Sequence, residues 1–580
     1  MATVTYTASY GHQTKRERYE SLCQQLANER TSFETHWEDL ANFILPRRLR
    51  FQVTDTNRGE RKNRNIYDAT ATMAARTLRS GMMSGVTSPA RPWFRLATPD
   101  PELNEFGRVK TWLEDTTRRM RAVFDRTNLY TTLPLIYGDI GTFGTAAMIQ
   151  EESFEKVTRF RAFPLGSYYL AADFEGKVNT FIRKFRITVR NLVEEYVTRT
   201  KSGGYDWSNV SRHVKDAWDN GNYNQWVDVV HVIAPNPEWN PQRPLSKYKR
   251  FASCTYEAAC DDEDKFLRES GYDTFPILAP RWETSAEDVY GTDCPGMVAL
   301  GDVRQLQLGE RKSLQAIEKM VNPPMQGPSS LRNAKASILP GDITYYDTPA
   351  GREGLRPIHE VNPKIQELEA KQAQVRDRIR QAFFEDLFLA LTRSDRREIT
   401  AREIEERHEE KLLALGPVLE QLNTDLLDPL IDNTFAFMLR QGAIPPPPEE
   451  LRGMELRVDY ISIMAQAQKL VAIGGLERLS SFVGSLAAMS PTILDKVDTD
   501  QLIDEYSDAL GVPAKVIRTD EQVAEIRQSR AQAEQARAQA EMVAQGAKAA
   551  RDLSGASLEG DNALARIMDY AEAGAPVSVN

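Results

Sequence analysis

"PGMVALGDVRQLQLGERKSLQAIEKMVNPP", residues 295 to 324, is the stretch on which the fold turns. Asp293 is a plausible N-cap and Pro295 suits a first helical turn. No breaker then appears until Pro323 and Pro324 stop the run. At 1.5 Å per residue such a helix spans roughly 40 Å. A second run, "PKIQELEAKQAQVRDRIRQAFFEDLFLAL" (363–391), repeats apolar side chains at steps of three, four or seven: Ile365, Leu368, Val375, Ile379, Phe383 and Leu387. Between the two lie 39 residues, 323–361, rich in Pro, Gly and Tyr. A connection that long predicts a small functional module. Two long helices with a module at their far end make a stalk with a tip.

Toward the C-terminus, "TRSDRRE" (392–398) leads into a third long helix predicted from Thr400 to about Arg440, with a kink at Gly416-Pro417. Its first turns, "REITAREIEERHEE" (397–410), crowd six carboxylates, three arginines and one histidine together. Thr400 and Glu403 match a capping box, and acidic groups favour a helix N-terminus. Arg402 with Glu406, and Glu403 with Arg407, are i,i+4 pairs. The crowd therefore reads as a capped helix start. "HEEKL" (408–412) has Leu412 where a zinc pair would need a second histidine. "GAIPPPPEEL" (442–451) is a polyproline linker, and 454–520 reads as short helices. The tail around 527–552, built from Ala, Gln, Glu and Arg, has high helix propensity but a thin apolar stripe.

Toward the N-terminus, helical spacing runs from Lys15 to Leu45, from Asp68 to Ser84, from Leu103 to Tyr130 and from Thr132 to about Gly141. The basic segment 47–65 reads as an exposed loop. Between Arg159 and Ala234 the period falls to two and β-branched residues collect. The fold class expected is α+β, mainly helical.

Several chemistries lack their residues. There is no GxxxxGK[ST] phosphate loop, and "GDIGTFG" (138–144) spaces its glycines for close packing. The four cysteines include no CxxC pair and read as reduced thiols. A formal charge of -10 argues against a protein that coats nucleic acid, although a basic patch can sit on an acidic body. No signal peptide and no spanning run of ~18 apolar residues is evident, so the chain is expected to be soluble and intracellular when made. No catalytic residue, cofactor or metal ligand is assigned.

Several runs together carry a family resemblance. They are "RTNLYTTLPLIYGDIGTFGTAAMIQEE" (126–152), "FPLGSYYLAADFEGKVNTFIRKFRITV" (163–189), "VNPPMQG" (321–327), "LPGDITYY" (339–346), "ITAREIEERHEEKLLALGPVLEQLNTDLLDPLIDNTFAFMLRQGAIPPPP" (399–448) and "VDYISIMAQAQK" (458–469). In order and spacing the chain resembles the portal, or head-to-tail connector, proteins of short-tailed bacteriophages over nearly its whole length. Arg402, where the family pattern expects Thr, is one departure, and the last 60 residues match least.

The resemblance implies a homododecameric ring at one capsid vertex, through which double-stranded DNA is packaged and ejected. It implies a wing over 1–280, a first stem helix over 281–322, a clip over 323–361 and a second stem helix over 362–391. A channel loop would follow at 392–399, a long wing helix at 400–440, a crown at 441–520 and a C-terminal helical barrel at 521–580. Lys312, Lys319, Arg393, Arg396 and Arg397 become candidate DNA-channel residues. Pro323, Pro324, Gly341, Asp342, Tyr345 and Tyr346 become candidate contacts of the clip with the tail adaptor. The implied partners are the terminase large subunit, tail adaptor and tail proteins, major capsid and scaffold proteins, and internal core or ejection proteins, with no membrane. The implied location is the virion, after assembly in the host cytoplasm. Two rival readings are a coiled-coil internal scaffold or ejection protein and a metal-dependent nuclease using the 403–410 carboxylates. The β region and the helix–insert–helix pattern disfavour the first. Acids scattered all round a helix disfavour the second.

Overall fold

Thr14 opens the first helix with a complete capping box. Its hydroxyl accepts from the Glu17 amide at 3.2 Å, and its own amide donates to the Glu17 carboxylate at 2.8 Å. The computed structural model describes residues 14–51, 62–100, 103–104, 106–321 (without 202, 260–264 and 286), 325–326, 356–357, 365–393, 415–462 (without 452 and 455), 464, 480–486, 498–503, 518 and 520–554. The chain divides into two units, residues 1–99 with 111–511 and residues 100–110 with 512–580.

In chain order the first unit begins with α1 (Lys15–Phe43), α2 (Thr70–Gly85), β1 (Phe94–Ala97), most of α3 (Gly107–Arg126) and α4 (Leu129–Phe143). Strands follow: β2 (Ala147–Ser153), β3 (Val157–Phe163), β4 (Tyr168–Ala172) and β5 (Val178–Thr188). Two short helices, α5 (Val189–Tyr196) and α6 (Arg212–Asp219), precede β6 (Trp226–Pro235), β7 (Phe251–Glu257), β8 (Arg268–Tyr272) and β9 (Ile277–Leu278). Then come α7 (Pro295–Val321), the strand pair β10 (Met325–Gln326) and β11 (Arg356–Pro357), α8 (Ile365–Ala382) and α9 (Glu385–Arg393). Last are α10 (Gly416–Leu422), a π turn at Asn423–Leu427, α11 (Asp428–Arg440) and β12 (Arg457–Tyr460). In the second unit α12 runs from Asp520 to Ser554.

Strands β4-β5-β6-β7-β8 form one antiparallel sheet and β3-β2-β9 another. Strand periodicity puts Ile182, Val230, Val232 and Cys254 on the face that α1 covers with Tyr19, Cys23 and Leu26. A second apolar cluster joins Val189, Leu192 and Val193 of α5 and Val214 of α6 to Val227 and Val229. The α+β class is as expected, but the β region is larger than the sequence period indicated. Strand 251–257 is buried almost end to end and strand 147–153 over its first four residues, so they lack the polar-out alternation that marks a half-exposed strand. Strand β12, inside the stretch expected to hold only short helices, pairs antiparallel with β1, Phe94 facing Tyr460. The glycines of 138–144 serve packing as expected: a Cβ at Gly141 would lie 2.6 Å from Leu78. Cys23, Cys254 and Cys294 are free and buried.

Three helix details differ from expectation. Asp293 does not cap α7. Its carboxylate accepts from the adjacent Cys294 amide at 2.7 Å, and Cys294 holds the cap position, its carbonyl accepting from Val298. The run expected as one helix over 363–391 is broken between α8 and α9, where Phe384 stands at φ 53. That left-handed conformation costs about 1–2 kcal/mol for a bulky residue. It is held by the buried rings of Phe383 and Phe388 on either side. Apolar spacing crosses the break unchanged because Val375, Ile379, Phe383 and Leu387 are all buried. Among the described residues the third helix departs from α geometry at 423–427, a few residues past Gly416-Pro417. Pro429 explains the place: it offers no N–H to the carbonyl of Asp425, and its ring crowds that oxygen.

Candidate functional site

Helix α7 has two unlike faces. Ala299, Leu300, Val303, Leu306, Gln307 and Ser313 are buried. Val298, Gly301, Gln305, Leu308, Lys312, Gln315 and Lys319, at alternating steps of three and four, are all exposed. Lys312 and Lys319 are the sole charges on that exposed stripe. Arg311 and Glu318 are exposed on the adjoining face, and the remaining ionised groups of α7 are paired. Arg304 pairs with Asp39, and Asp302 and Glu310 meet arginines of α8.

The buried face is anchored at both ends. At the start, a Cβ on Gly296 would stand 2.3 Å from the Thr142 carbonyl oxygen, so only glycine allows α7 to meet the end of α4 this closely. Further along, the buried Gln307 side chain satisfies the chain entering α2. Its Oε1 accepts from the amides of Tyr67 (2.6 Å) and Asp68 (2.9 Å), and its Nε2 donates to the Asp68 carbonyl (2.8 Å).

Helix α8 clasps α7 through polar groups. Gln372 donates to the Ser313 hydroxyl at 2.9 Å. Arg376 bridges Asp68, at 2.8 Å, and Glu310. Arg378 binds Asp302 through two nitrogens at 2.9 and 2.6 Å. Burial pushes the Asp68 carboxyl up, but hydrogen bonds from Thr70 and Arg376 outweigh it and hold the group below its usual range. Asp302 is held low chiefly by its bond to Arg378. Helix α9 then locks onto α2: a Cβ on Gly81 would overlap the Phe388 ring at 2.2 Å.

Past Ser313 the buried face of α7 runs on into the open. Leu314, Ile317, Met320 and Val321 project on the same side as Val303 and Leu306, yet are 41–81% exposed.

Of the expected site residues, the structure brings Lys312 and Lys319 onto one face. Arg393 is the last residue of α9. Arg396, Arg397, Pro323, Pro324, Gly341, Asp342, Tyr345, Tyr346, Thr400 and Glu403 lie outside the described residues. Sequence reasoning passed over Gln307, Arg376 and the π turn, where Arg281 holds Asp425 through paired bonds of 2.9 and 3.0 Å. A polar residue inside an apolar row, as Gln307 is beside Leu306 and one helical turn past Val303, was the available signal for the first.

Among the described residues no group of three or more His, Cys, Asp or Glu is placed to hold a metal, and no helix is long and apolar enough to cross a membrane.

Residues 16–517 match the model of the bacteriophage head to tail connecting protein family. The portal protein of Salmonella phage epsilon15 is 48% identical over 564 residues, covering 97% of this chain and 99% of that protein. The probable portal protein of Bordetella phage BPP-1 is 42% identical over 552 residues, 95% of this chain and 98% of that protein. The chain belongs to the bacteriophage head to tail connecting protein family.

Proposed function

We propose that this chain is a portal protein: a homododecameric ring at one capsid vertex through which double-stranded DNA enters the head and leaves at infection. The observation that carries the channel assignment is the exposed stripe of α7, uncharged except for Lys312 and Lys319. Duplex DNA must be contained and still slide. Each neutralised phosphate releases counterions and adds affinity, so walls dense in cations would trap it. A body of net charge -10 with two spaced lysines per stem helix suits passage. The open apolar end of α7, from Leu314 to Val321, fits a helix that neighbouring copies cover once a ring closes.

In this reading 281–322 and 362–391, which hold α7 and α8, are the stem, 323–361 the clip, 392–399 the channel loop, 400–440 the long wing helix and 441–520 the crown. The α+β mass before 280 is the wing, and 521–580 forms a helical barrel. The clip, through Pro323, Pro324, Gly341, Asp342, Tyr345 and Tyr346, docks the terminase large subunit and afterwards the tail adaptor. Major capsid, scaffold and internal ejection proteins are the remaining partners, and the ring assembles in the host cytoplasm before residing in the virion. No catalytic step is assigned to it.

Replacing Lys312 and Lys319 with glutamine, and separately Arg393, Arg396 and Arg397, tests the channel. The account expects intact rings with lower DNA packaging or retention, more so at low salt. Unchanged packaging across a range of salt would remove these residues from the channel. Deleting 323–361 is expected to abolish motor and tail docking while the rest of the subunit stays folded; normal tail attachment would refute the clip.

A further inference from the structure

On the sheet face turned away from α1, four side chains stand abreast across β5, β6, β7 and β8. Arg183 faces His231, His231 faces Thr255, and Thr255 faces Arg268. Residues paired in this way project on one face, and their neighbours Ile182, Val230 and Cys254 take the α1 side. Apolar groups cover the two ends of this face. Val227 and Val229 lie under α5 and α6 at one end, and the Phe163, Tyr168 and Phe181 rings pack together at the other. The row between them is only partly covered: Arg268 is exposed, and Arg183 and His231 are half-buried. Arg161 of β3, also exposed, reaches the same place. Its guanidinium and that of Arg183 lie against one ring, 5.4 and 4.7 Å from the centre of Phe163.

Acids do not answer these cations. Arg268 alone is paired, donating to the Glu195 carbonyl at 2.8 Å and to its carboxylate at 3.1 Å. Glu257, on the same face, is taken by Ser211, whose amide and hydroxyl donate to it at 2.8 and 2.5 Å. Glu151 is bound by Arg159. Among the described residues Arg161 and Arg183 meet no carboxylate, and the buried Nε of Arg183 has no acceptor. A desolvated cation left without a counter-charge is costly. The resulting field acts on its own members. Burial, then repulsion from Arg161 and Arg50, lowers Arg183 to about 10. Burial, followed by Arg161, Arg183 and Arg268, pushes His231 down to about 3. Tyr196, whose ring centre lies 4.9 Å from the Arg268 guanidinium, and Tyr272 beside Ser253 add hydroxyls to the same face.

We propose that Arg161 and Arg183, with Arg268 and His231 beside them, bind a small phosphate-class oxyanion on this sheet face. The Phe163 and Phe185 rings, 4.7 and 4.6 Å away, occupy the flat faces of the Arg183 guanidinium and leave its edge for hydrogen bonds. Charge-assisted bonds from fixed guanidinium forks suit an anion that carries several oxygens. A DNA duplex fits less well, because Arg183 and His231 are recessed beside the exposed Arg161 and Arg268, where one small anion reaches and a rod does not.

Thermal unfolding of the full chain in rising inorganic phosphate tests it, with sodium chloride adjusted to hold ionic strength constant. The chains are wild type, Arg161→Gln, Arg183→Gln and Lys156→Gln. A ligand that binds only the native state raises the midpoint with its concentration. Wild type and Lys156→Gln, which removes an exposed cation outside the row, are expected to rise alike. Arg161→Gln should need about tenfold more phosphate for the same rise, and Arg183→Gln should lose the response. Arg161 is exposed, so its loss does not threaten the fold, and its contrast with Lys156→Gln decides the matter if Arg183→Gln fails to fold. Equal rises in every folded chain would mean that phosphate acts through exclusion from the surface, and would overturn the proposal. So would a wild type that does not respond, or a response lost in Lys156→Gln. Binding of a short DNA duplex that depends on Arg161, with no effect of inorganic phosphate, would overturn it as well.

Discussion

At the scale of single residues, close approach and buried polar satisfaction hold the helical layer together. Gly81 faces the Phe388 ring with no room for a methyl group. Gly81→Ala should therefore destabilise the first unit by about 1–3 kcal/mol, read as a lower denaturant midpoint; an unchanged midpoint would mean that α9 does not pack on α2 this way. Gln307→Ala removes both acceptor bonds to the Tyr67 and Asp68 amides and one donor bond, and should cost about 1–3 kcal/mol. Amide exchange at 67 and 68 should speed up with it. Neither residue was conspicuous in the sequence. A glycine among the small residues of 70–85 says that something comes close, but the identity of the ring depends on a chain segment about 300 positions away.

At the scale of elements, the α7–α8 pair was largely legible. The bounds of α7 follow from Pro295 at one end and Pro323-Pro324 just beyond the other, both local effects of a missing N–H and a fixed φ. The break at Phe383-Phe384 was not legible, because apolar spacing tracks burial and does not register a change of backbone that preserves the buried side. Ion pairs join α7 to α8, which makes the contact sensitive to acid. Asp68 and Asp302 have folded-state pKa values below their ordinary ones. Their stabilising share is thus complete above the unfolded value and disappears as pH falls through the lower, folded value. Hydrogen exchange along α8 should accelerate as pH drops below ~4 after correction for intrinsic rates, and Asp302→Asn should blunt that response. An α8 equally protected at pH 3 and pH 6 would show that the clasp contributes little.

At the scale of the whole molecule, composition and order of elements carried the class, and family likeness carried the function. Periodicity separated helices from strands well where one face is exposed, as on α1 and β5. It failed at the first half of β2 and at β7, which are enclosed on both faces, and at β12, whose partner β1 lies more than 350 positions earlier. The crowded stretch 397–410 invited a metal or acid–base site, and its sequence match to a capping box, Thr400 with Glu403, offered a sufficient alternative reading, although it lies outside the described residues. A lone subunit leaves the end of α7 and the Phe174-Glu175 tip open to solvent. Ring closure is the single event that would bring neighbours to both. Native mass measurement of the purified chain across a range of concentrations tests this most directly. The account predicts a closed cyclic oligomer of about twelve copies with a central hole in negative stain; monomers at every concentration, or open-ended filaments, would contradict it.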